Sequence, residues 1–390
     1  MIELIVNRLK SASDVGEIHD PARRLLHRPG HTNIDTEGMA VQPPAFMVFG
    51  NVRQMMCRFN SKSFEYFHGN VSALNNDRSS LATFPMHGNR ARHSPPAAAG
   101  DRMIFRSFPS TCLSKITMSQ SPLLPLIVEP AELARNLSAE NILIVDLSRP
   151  EIYAQTHVPG AVHLDYAQIV AARPPVMGML PGEAQLSDVF SAIGLTPEHH
   201  VVACDDEGGG RASRLLWTLD VLGHTRYSLL NGGLHAWVND RLPVSGETVQ
   251  RPRSSYTATF RNTTVVADTN YIADHLKDPR VLILDSRTPA EYRGETKRAA
   301  RNGHIPGAIN FDWVNAIDPA RHLRLKPAET LKQLLLPLGI SPEKEIITYC
   351  QTHHRSAHTY IVLKSLGYTH VRGYPGSWSE WGNRPETPIE

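Results

Sequence analysis

From residue 120 onward, the chain alternates between short apolar runs and longer amphipathic stretches. The apolar runs have the length of strands and are rich in β-branched residues, as in ILIVD, VVACD, VLILD and EIITY. Between them, PAELARNL, SRLLWTLDVLG and SAHTYIVLKSLG space their apolar residues as helices do. This alternation predicts βαβ units, and hence an α/β fold with mostly parallel sheets flanked by helices.

The same pattern occurs twice, in the same order. ILIVDLSRPEIY matches VLILDSRTPAEY, and HVPGAVHLD matches HIPGAINFD. Farther on, GLTPEHHVVACDDEGGGRAS matches GISPEKEIITYCQTHHRSA, and NGGLHAW matches YPGSWSEW. Four matched blocks in one order indicate a duplicated domain of about 125 residues. We therefore predict domains at residues 124–247 and 263–390, joined by a polar linker at 248–262.

The first 120 residues do not show this alternation of apolar runs and amphipathic stretches. They mix Pro, Asn, His, Arg and Ser without sustained periodicity, as in RRLLHRPGHTNID. We expect a disordered N-terminal extension that does not fold alone. Acidic residues early in this segment argue against a transit peptide. Met118, just before the ordered pattern begins, is an alternative start.

Charge and cysteine content exclude several classes of protein. Residues 121–390 hold 26 Lys/Arg against 29 Asp/Glu, which gives nucleic-acid binding little support. The four cysteines lie far apart and form no CxxC or Cys/His pattern, so neither a disulfide framework nor a metal site is expected. No apolar run of membrane-spanning length and no secretory signal occurs. We expect a cytoplasmic monomer without a membrane segment, a metal or an organic cofactor.

The loop CQTHHR carries the clearest chemical signal. Its Cys350 follows the predicted strand EIITY, and ligands of parallel α/β sheets bind beyond the carboxyl ends of strands. We expect a helix to begin near Ser356, which is a plausible N-cap. Loop N–H groups would then form an anion site that lowers the pKa of the thiol. Arg355 adds a cation, and His353 and His354 can add partial ones.

Loop length separates two chemistries that use such a cysteine. Cysteine phosphatases place five residues between cysteine and arginine to surround a phosphate, whereas only four separate Cys350 from Arg355. The smaller ring suits an extra sulfur better. The Cys350 thiolate would attack the outer sulfur of thiosulfate, release sulfite and keep a persulfide, from which cyanide or a thiol removes the sulfur.

Residues 124–390 resemble a tandem-domain rhodanese, a thiosulfate sulfurtransferase, and CQTHHR resembles the active loop of bacterial two-domain members. The repeat, the two H-[VI]-P-G-A segments and the terminal GSWSEWGNRPETP carry this resemblance. It implies that the second copy is catalytic, that the first is an inactive partner, and that the site lies in the cleft between them. Because the loop departs from the CRKGxT-like and CGSGVT-like forms, 3-mercaptopyruvate remains an alternative donor.

The resemblance also implies roles for further residues. Arg287 is expected to bind an anion, although it is also spaced to pair with Glu291 along a helix. Trp313 and the turn from Trp378 to Trp381 are placed near the site. The expected substrate-binding residues are Arg355, Gln351, Thr352, His353, His354 and Arg287. Expected acceptors are cyanide, small thiols, and thioredoxin-like or other sulfur-acceptor proteins.

The first copy contains rival residues that we interpret as structural. Sliding the copies by 145 residues sets Asp205 opposite Cys350 and makes Cys204 a strand residue. The acidic run from Asp205 to Glu207 is expected to face the cationic loop rather than to bind a metal. His157 and His304 occur in both copies, which favours a structural turn. A phosphatase or arsenate reductase on the same fold and a non-catalytic sulfur carrier remain alternative functions.

Overall fold

A computed structural model describes residues 124–390, and the predicted N-terminal extension lies outside this range. The first domain has a five-stranded parallel sheet in the order β1-β7-β6-β2-β3 and a separate antiparallel pair, β4 and β5. Its strands are β1 (Ile127–Val128), β2 (Ile142–Asp146), β3 (Val162–His163), β4 (Ala171–Arg173), β5 (Val176–Met179), β6 (His200–Cys204) and β7 (Tyr227–Leu230). Its helices are α1 (Pro130–Ala134), α2 (Pro150–Tyr153), α3 (Glu183–Ala192), α4 (Gly210–Val221) and α5 (Gly233–Asn239), with a 3-10 turn at Tyr166–Ile169.

The second domain has a four-stranded parallel sheet in the order β13-β12-β8-β9 and a separate antiparallel pair, β10 and β11. Its strands are β8 (Val281–Asp285), β9 (Ile309–Asn310), β10 (Ile317–Asp318), β11 (Arg324–Leu325), β12 (Glu345–Tyr349) and β13 (Val371–Gly373). Its helices are α6 (Thr269–His275), α7 (Pro289–Tyr292), α8 (Ala328–Leu335), α9 (Arg355–Ser365) and α10 (Ser377–Trp381). Its 3-10 turns are Thr263–Val265, Trp313–Ala316, Pro319–Arg321 and Leu336–Leu338.

The two sheets confirm the predicted α/β class and the internal repeat. Each pairs its central strand in parallel with the strand that opens the first matched block, β6 with β2 and β12 with β8. Cys204 is the last residue of β6 and lies opposite Asp146, whereas Tyr349 ends β12 opposite Asp285. Cys204 is therefore a strand residue, as predicted, and Cys350 is the first residue beyond its strand.

Helices α4 and α9 pack against each other and form the centre of the domain interface. All residues of α4 except Arg211 are buried. One apolar cluster runs through both helices, and the hydroxyl of Tyr360 donates across the interface to Asp220 at 2.6 Å. Lys364 pairs with the same carboxylate. Because each helix directly follows the loop at the end of a central strand, both loops lie at this interface.

The stretch between the domains has no helix or strand from residue 240 to residue 262. It runs along α3, where the N–H of Tyr256 donates to Ser191 Oγ at 3.0 Å and that of Ala258 to Ser187 Oγ at 2.9 Å. The linker limits at 248 and 262 stay a prediction. Within residues 124–390, no helix is long and apolar enough to cross a lipid bilayer.

Candidate active site

Cys350 lies at the carboxyl end of β12 and is fully buried. Its N–H donates to Ser377 Oγ at 3.3 Å, and its carbonyl accepts the N–H of Trp378 at 2.9 Å. The carbonyl of Gln351 accepts the N–H of Ser379 at 3.0 Å. The first turn of α10 therefore fixes the start of the loop and brings the predicted Trp378 turn to the site.

The surroundings of Cys350 favour its thiolate. Burial alone would raise the pKa of the thiol, but the charge of Arg355 and hydrogen bonds from Ser356 and from the N–H of Thr352 outweigh it. The pKa of Cys350 therefore lies below its usual range. A thiolate held at the start of a helix is a nucleophile.

The helix after the loop begins one residue earlier than predicted. Helix α9 starts at Arg355, and His354 is its N-cap residue without a capping side chain. The N-cap assignment for Ser356 is wrong because this residue lies in the first turn, where its N–H and hydroxyl contact the sulfur of Cys350. The sulfur thus accepts a helical N–H that a capping side chain would otherwise satisfy.

Arg355 is held in place by a carboxylate that the sequence interpretation assigned elsewhere. Its two terminal nitrogens contact Glu291 at 2.7 and 2.9 Å, in the bidentate geometry that arginine favours. Glu291 also forms a capping box with Thr288 at the start of α7. Burial raises the pKa of Glu291, but Arg355 and Thr288 outweigh it and lower that pKa to about 2. The T-x-x-E spacing was the available signal for this residue.

Arg287 lies apart from this pair. It is buried, contacts Asp285 at 2.6 Å, donates to the carbonyl of Gly303 at 2.8 Å, and its guanidinium lies 4.5 Å from the ring centre of Trp378. The alternative pairing of Arg287 with Glu291 is therefore wrong, because each residue has a different partner. Anion binding by Arg287 stays a prediction.

The pKa values of the two loop histidines are shifted in opposite directions. His353 is the fully buried histidine of the two. Its backbone has a left-handed φ of 55°. Its Nδ1 hydrogen-bonds with Ser356 Oγ at 2.8 Å, and its ring meets Trp217 edge-on at 4.3 Å. Burial and the nearby charges of Arg214 and His354 lower the pKa of His353 far below its usual value. The expected partial charge on His353 is wrong for this reason, and the ring is neutral.

His354 is about a quarter exposed and hydrogen-bonds through Nε2 with Glu207 of the first domain. The rings of Tyr166 and Trp313 lie 5.5 and 6.1 Å away, which places Trp313 near the site as predicted. Burial lowers the pKa of His354, but Glu207 and then Cys350 outweigh it and raise that pKa above its usual value. His354 is the loop histidine that carries a charge readily.

The acidic run of the first domain faces the active loop through one of its three members. Glu207 contacts His354, whereas Asp206 pairs with Arg149 and Arg211 of its own domain. The carboxylate of Asp205 accepts three backbone N–H groups, two from its own loop and one from the first turn of α4. In the described part of the chain, no group of His, Cys, Asp or Glu side chains has an arrangement that could hold a metal ion.

Two loop residues and one distant arginine complete the site. The side chain of Gln351 donates to the carbonyl of Arg298 at 3.0 Å. The carbonyl of Thr352 accepts a hydrogen bond from Arg214 of the first domain at 3.4 Å. Sequence interpretation missed Arg214, because nothing in ASRLLW distinguishes it from an arginine on a solvent-exposed face.

The paired histidines of the repeat have structural roles. Nδ1 of His157 lies 2.7 Å from the carbonyl of Tyr153, and the two rings stack at 4.0 Å. His304 repeats this arrangement with Tyr292, at 2.9 and 3.7 Å. Both copies therefore use this histidine to fix the same turn.

A cavity of about 720 Å³ lies next to the site and is lined by both domains. Met179 contributes from the first domain, and Tyr374 and Gly376 contribute from the second. Gly376 immediately precedes Ser377, which contacts Cys350, but Cys350 itself does not line the cavity. We assign no substrate to this cavity.

Comparison with known proteins agrees with this geometry. The family described as Rhodanese-like domain matches residues 129–240 and 268–384. The chain is 46% identical over 267 residues to a thiosulfate sulfurtransferase of Azotobacter vinelandii, covering 68% of this chain and 97% of that one. A thiosulfate sulfurtransferase of Pseudomonas aeruginosa is 45% identical with the same coverage. The 3-mercaptopyruvate sulfotransferase SseA of Escherichia coli superposes with a TM-score of 0.59 at 26% identity, covering 65% and 99% of the two chains.

Proposed function

Because this chain belongs to the rhodanese family, we propose that it is a thiosulfate sulfurtransferase that carries the transferred sulfur on Cys350. One observation supports the assignment of this residue most strongly. Cys350 is a buried thiol with a lowered pKa, placed at a strand end where backbone N–H groups and Arg355 face it. Cys204, the other described cysteine, is the last residue of β6, and burial followed by the nearby Asp146 raises the pKa of its thiol.

The reaction proceeds in two displacements at sulfur. The Cys350 thiolate attacks the outer sulfur of thiosulfate, the S–S bond of thiosulfate breaks, and its electron pair leaves with sulfite. Cyanide then attacks the outer sulfur of the Cys350 persulfide and leaves as thiocyanate, which regenerates the thiolate. A thiolate acceptor reacts in the same way and leaves as its own persulfide. No external oxidant or reductant is needed.

The loop supports both steps by holding negative charge on sulfur. The N–H groups of Thr352 and Ser356 are directed at the sulfur of Cys350, and Arg355 adds a fixed positive charge. Donors fixed in this way need no rearrangement when the charge moves between sulfur atoms. This arrangement favours the thiolate before transfer and the persulfide after it.

We assign donor binding to the loop side chains on the partly exposed side of the site. Gln351, Thr352 and His354 are partly exposed, and the raised pKa of His354 suits a dianionic donor. His353 and Arg287 are buried, and their predicted contacts with the donor remain part of this proposal. The two relatives named thiosulfate sulfurtransferase, at 46% and 45% identity, and the CQTHHR loop support thiosulfate over 3-mercaptopyruvate as donor.

We also propose the sulfur acceptors, the oligomeric state and the compartment of the enzyme. Cyanide, small thiols and thioredoxin-like or other sulfur-acceptor proteins are the proposed acceptors. A monomer in the cytoplasm is the proposed working form. Cys204 and Cys350 are free thiols in the structure, which suits a reducing compartment.

Intact mass after incubation with thiosulfate tests the mechanism. We expect a gain of one sulfur atom, mapped by peptide mass to Cys350 and removed by cyanide. 3-Mercaptopyruvate in a parallel incubation compares the two donors under identical conditions. A stable phosphate adduct after incubation with an aryl phosphate, or no sulfur adduct with either donor, would contradict the assignment.

A sulfur carrier is the second candidate, because a Thermus thermophilus relative named sulfur carrier protein TtuD is 34% identical over 250 residues. A carrier would form the same Cys350 persulfide but would pass its sulfur to a partner protein rather than to small acceptors. Rapid multiple turnover of thiosulfate with cyanide distinguishes the enzyme from the carrier. A single loading without turnover would favour the carrier.

A further inference from the structure

Arg214 is a buried arginine on α4, in the domain that lacks the nucleophile. Its guanidinium lies 4.8 Å from the ring centre of Trp217. Its terminal nitrogens donate to four backbone carbonyls, at distances of 2.8 to 3.4 Å: those of Gly178, Met179, Thr352 and His353. Among residues 124–390, no carboxylate lies within ion-pair distance of Arg214.

This pattern sets Arg214 apart from the other arginines near the site. Arg287 contacts Asp285 and Arg355 contacts Glu291, each at less than 3 Å. A buried charge that meets only carbonyl dipoles and an aromatic ring is costly, because it has lost water without gaining an opposite charge. A compensating anion close to Arg214 would remove most of that cost.

Two acidic groups interact electrostatically with Arg214, the hydroxyl of Tyr166 and the thiol of Cys350. Glu207 is committed to His354, and Glu291 to Arg355. Tyr166 has a buried hydroxyl with no hydrogen-bond partner within the described range, and burial raises its pKa, so it stays neutral. The remaining acid is the thiol of Cys350, whose loop supplies two of the four carbonyls that Arg214 contacts.

We propose that Arg214 is a second counter-charge of the Cys350 thiolate, beside Arg355, and a positioning residue for the active loop. It acts from the domain without a nucleophile, and it touches the loop rather than the reacting sulfur atoms. The extension of this role to the persulfide rests on the function proposed above, whereas the role toward the thiolate does not.

The backbone contacts of Arg214 also explain the conformation of His353. A trans peptide directs its N–H opposite to its C=O, so carbonyls turned toward Arg214 leave the following N–H groups directed away from it. His353 adopts a left-handed φ of 55°, which is unfavourable for a residue with a side chain. Arg214 holds the carbonyl of this residue at 3.2 Å, and Trp217 packs on its ring. The first domain therefore stabilises the strained point of the loop.

The test compares two substitutions that differ in charge. Arg214→Gln keeps donors for the carbonyls but removes the charge, and Arg214→Lys keeps the charge. The readout is the alkylation rate of Cys350 against pH, followed by peptide mass so that the other cysteines do not contribute. We expect R214Q to raise the pKa of Cys350 by about one unit and to slow alkylation at lower pH about tenfold. We expect R214K to stay close to wild type.

Arg301→Gln is the matched control. Arg301 also donates to several backbone carbonyls, near the C-terminus of the chain, and we expect its substitution to leave the Cys350 profile unchanged. If R214Q does not fold, as judged by circular dichroism, Arg214→Met serves as the neutral variant. A folded neutral variant with the wild-type profile, or an equal shift in R214K, would overturn the proposal. Absence of a persulfide in the wild type would contradict the proposed function and leave this measurement intact.

Discussion

The loops that follow the two central strands start at corresponding positions of the repeat, but their first residues are Asp205 and Cys350. In the second domain, the N–H of Thr352 is directed at the sulfur of Cys350. In the first domain, the corresponding N–H of Glu207 donates to the carboxylate of Asp205 at 3.1 Å. The N–H groups of Gly209 in this loop and of Ala212 in α4 donate to the same carboxylate at 2.8 and 3.0 Å. In the first copy, the carboxylate of Asp205 thus binds the N–H groups that would otherwise be available to an anion.

The first copy also lacks the ion pair beside the nucleophile. In the matched blocks, Gly210 takes the position of Arg355, and Ile152 that of Glu291. A set of N–H groups that can bind an anion at the strand end is therefore a property of the fold. Sulfur transfer also needs the thiol of Cys350 in that position and the Arg355–Glu291 pair beside it. The first domain keeps a supporting role, because its Glu207 and Arg214 contact the active loop.

Substituting the two described cysteines should produce the largest contrast between the copies. We expect Cys350→Ala to abolish transfer from thiosulfate to cyanide, because no other described thiol lies among N–H groups that can bind an anion. We expect Cys204→Ala to leave the rate nearly unchanged, since Cys204 is a buried strand residue. Thiocyanate formation measures both. A cyanide-labile sulfur on Cys204 in the C350A protein would show that the copies share the chemistry.

Removing Arg355 should have the next largest effect. Arg355→Met takes away the cation that most strongly lowers the pKa of Cys350 and removes the bidentate partner of the buried Glu291 carboxylate. We expect the transfer rate at pH 7 to fall about 100-fold, with the rate rising again at higher pH as the thiolate forms. The pH profile of the rate measures this change.

Arg355→Lys is the matched variant for that prediction. It keeps the positive charge but loses the bidentate contact with Glu291, so we expect a loss smaller than that of Arg355→Met. An R355M rate equal to wild type across the pH range would show that the loop N–H groups alone hold the thiolate.

The contacts of Asp205 in the first copy should stabilise the fold and should not affect the rate of sulfur transfer. Asp205→Ala removes the acceptor of three buried or half-buried N–H groups, and we expect it to lower the free energy of unfolding by about 3 kcal/mol. Asp188→Ala, which removes an exposed ion pair with Arg253, should cost about 0.5 kcal/mol or less. Urea unfolding measures both variants. A stability of D205A equal to wild type would mean that water replaces the carboxylate as the acceptor of these N–H groups.

The sequence was informative about the fold and about the position of the nucleophile, because both depend on local patterns. The repeat, the strand ending at Tyr349 and the loop that begins at Cys350 all follow from apolar periodicity and block matching. Contacts that set the charges in the site join residues far apart in the chain. Arg355 meets Glu291 across 64 residues, and Arg214 meets His353 across 139. Such partners depend on how helices α4 and α9 dock, which periodicity does not specify.

The smallest expected effect is that of the pair between Glu207 and His354, which joins the two loops directly. Burial raises the pKa of Glu207, but His354 outweighs it and lowers that pKa to about 2, so its contribution to stability is lost as pH falls toward 2. The pKa of His354 is raised, so its contribution is complete below its usual pKa and is lost as pH rises through the raised value. The pair therefore stabilises the fold most between about pH 4.3 and about pH 6.5.

Glu207→Gln tests this pair. Both side chains are about a quarter exposed, so solvent screening limits the expected loss to about 1 kcal/mol at pH 5.5. The loss should be smaller at pH 9, because His354 loses its charge as pH rises through its raised pKa, whereas the contacts of Glu207 with Arg211 are affected at both pH values. Urea unfolding at the two pH values measures it, and the double variant E207Q/H354Q should be no less stable than E207Q alone. An equal loss at both pH values would show that Glu207 acts through packing or Arg211 rather than through the charge of His354, and the link between the loops would then be steric.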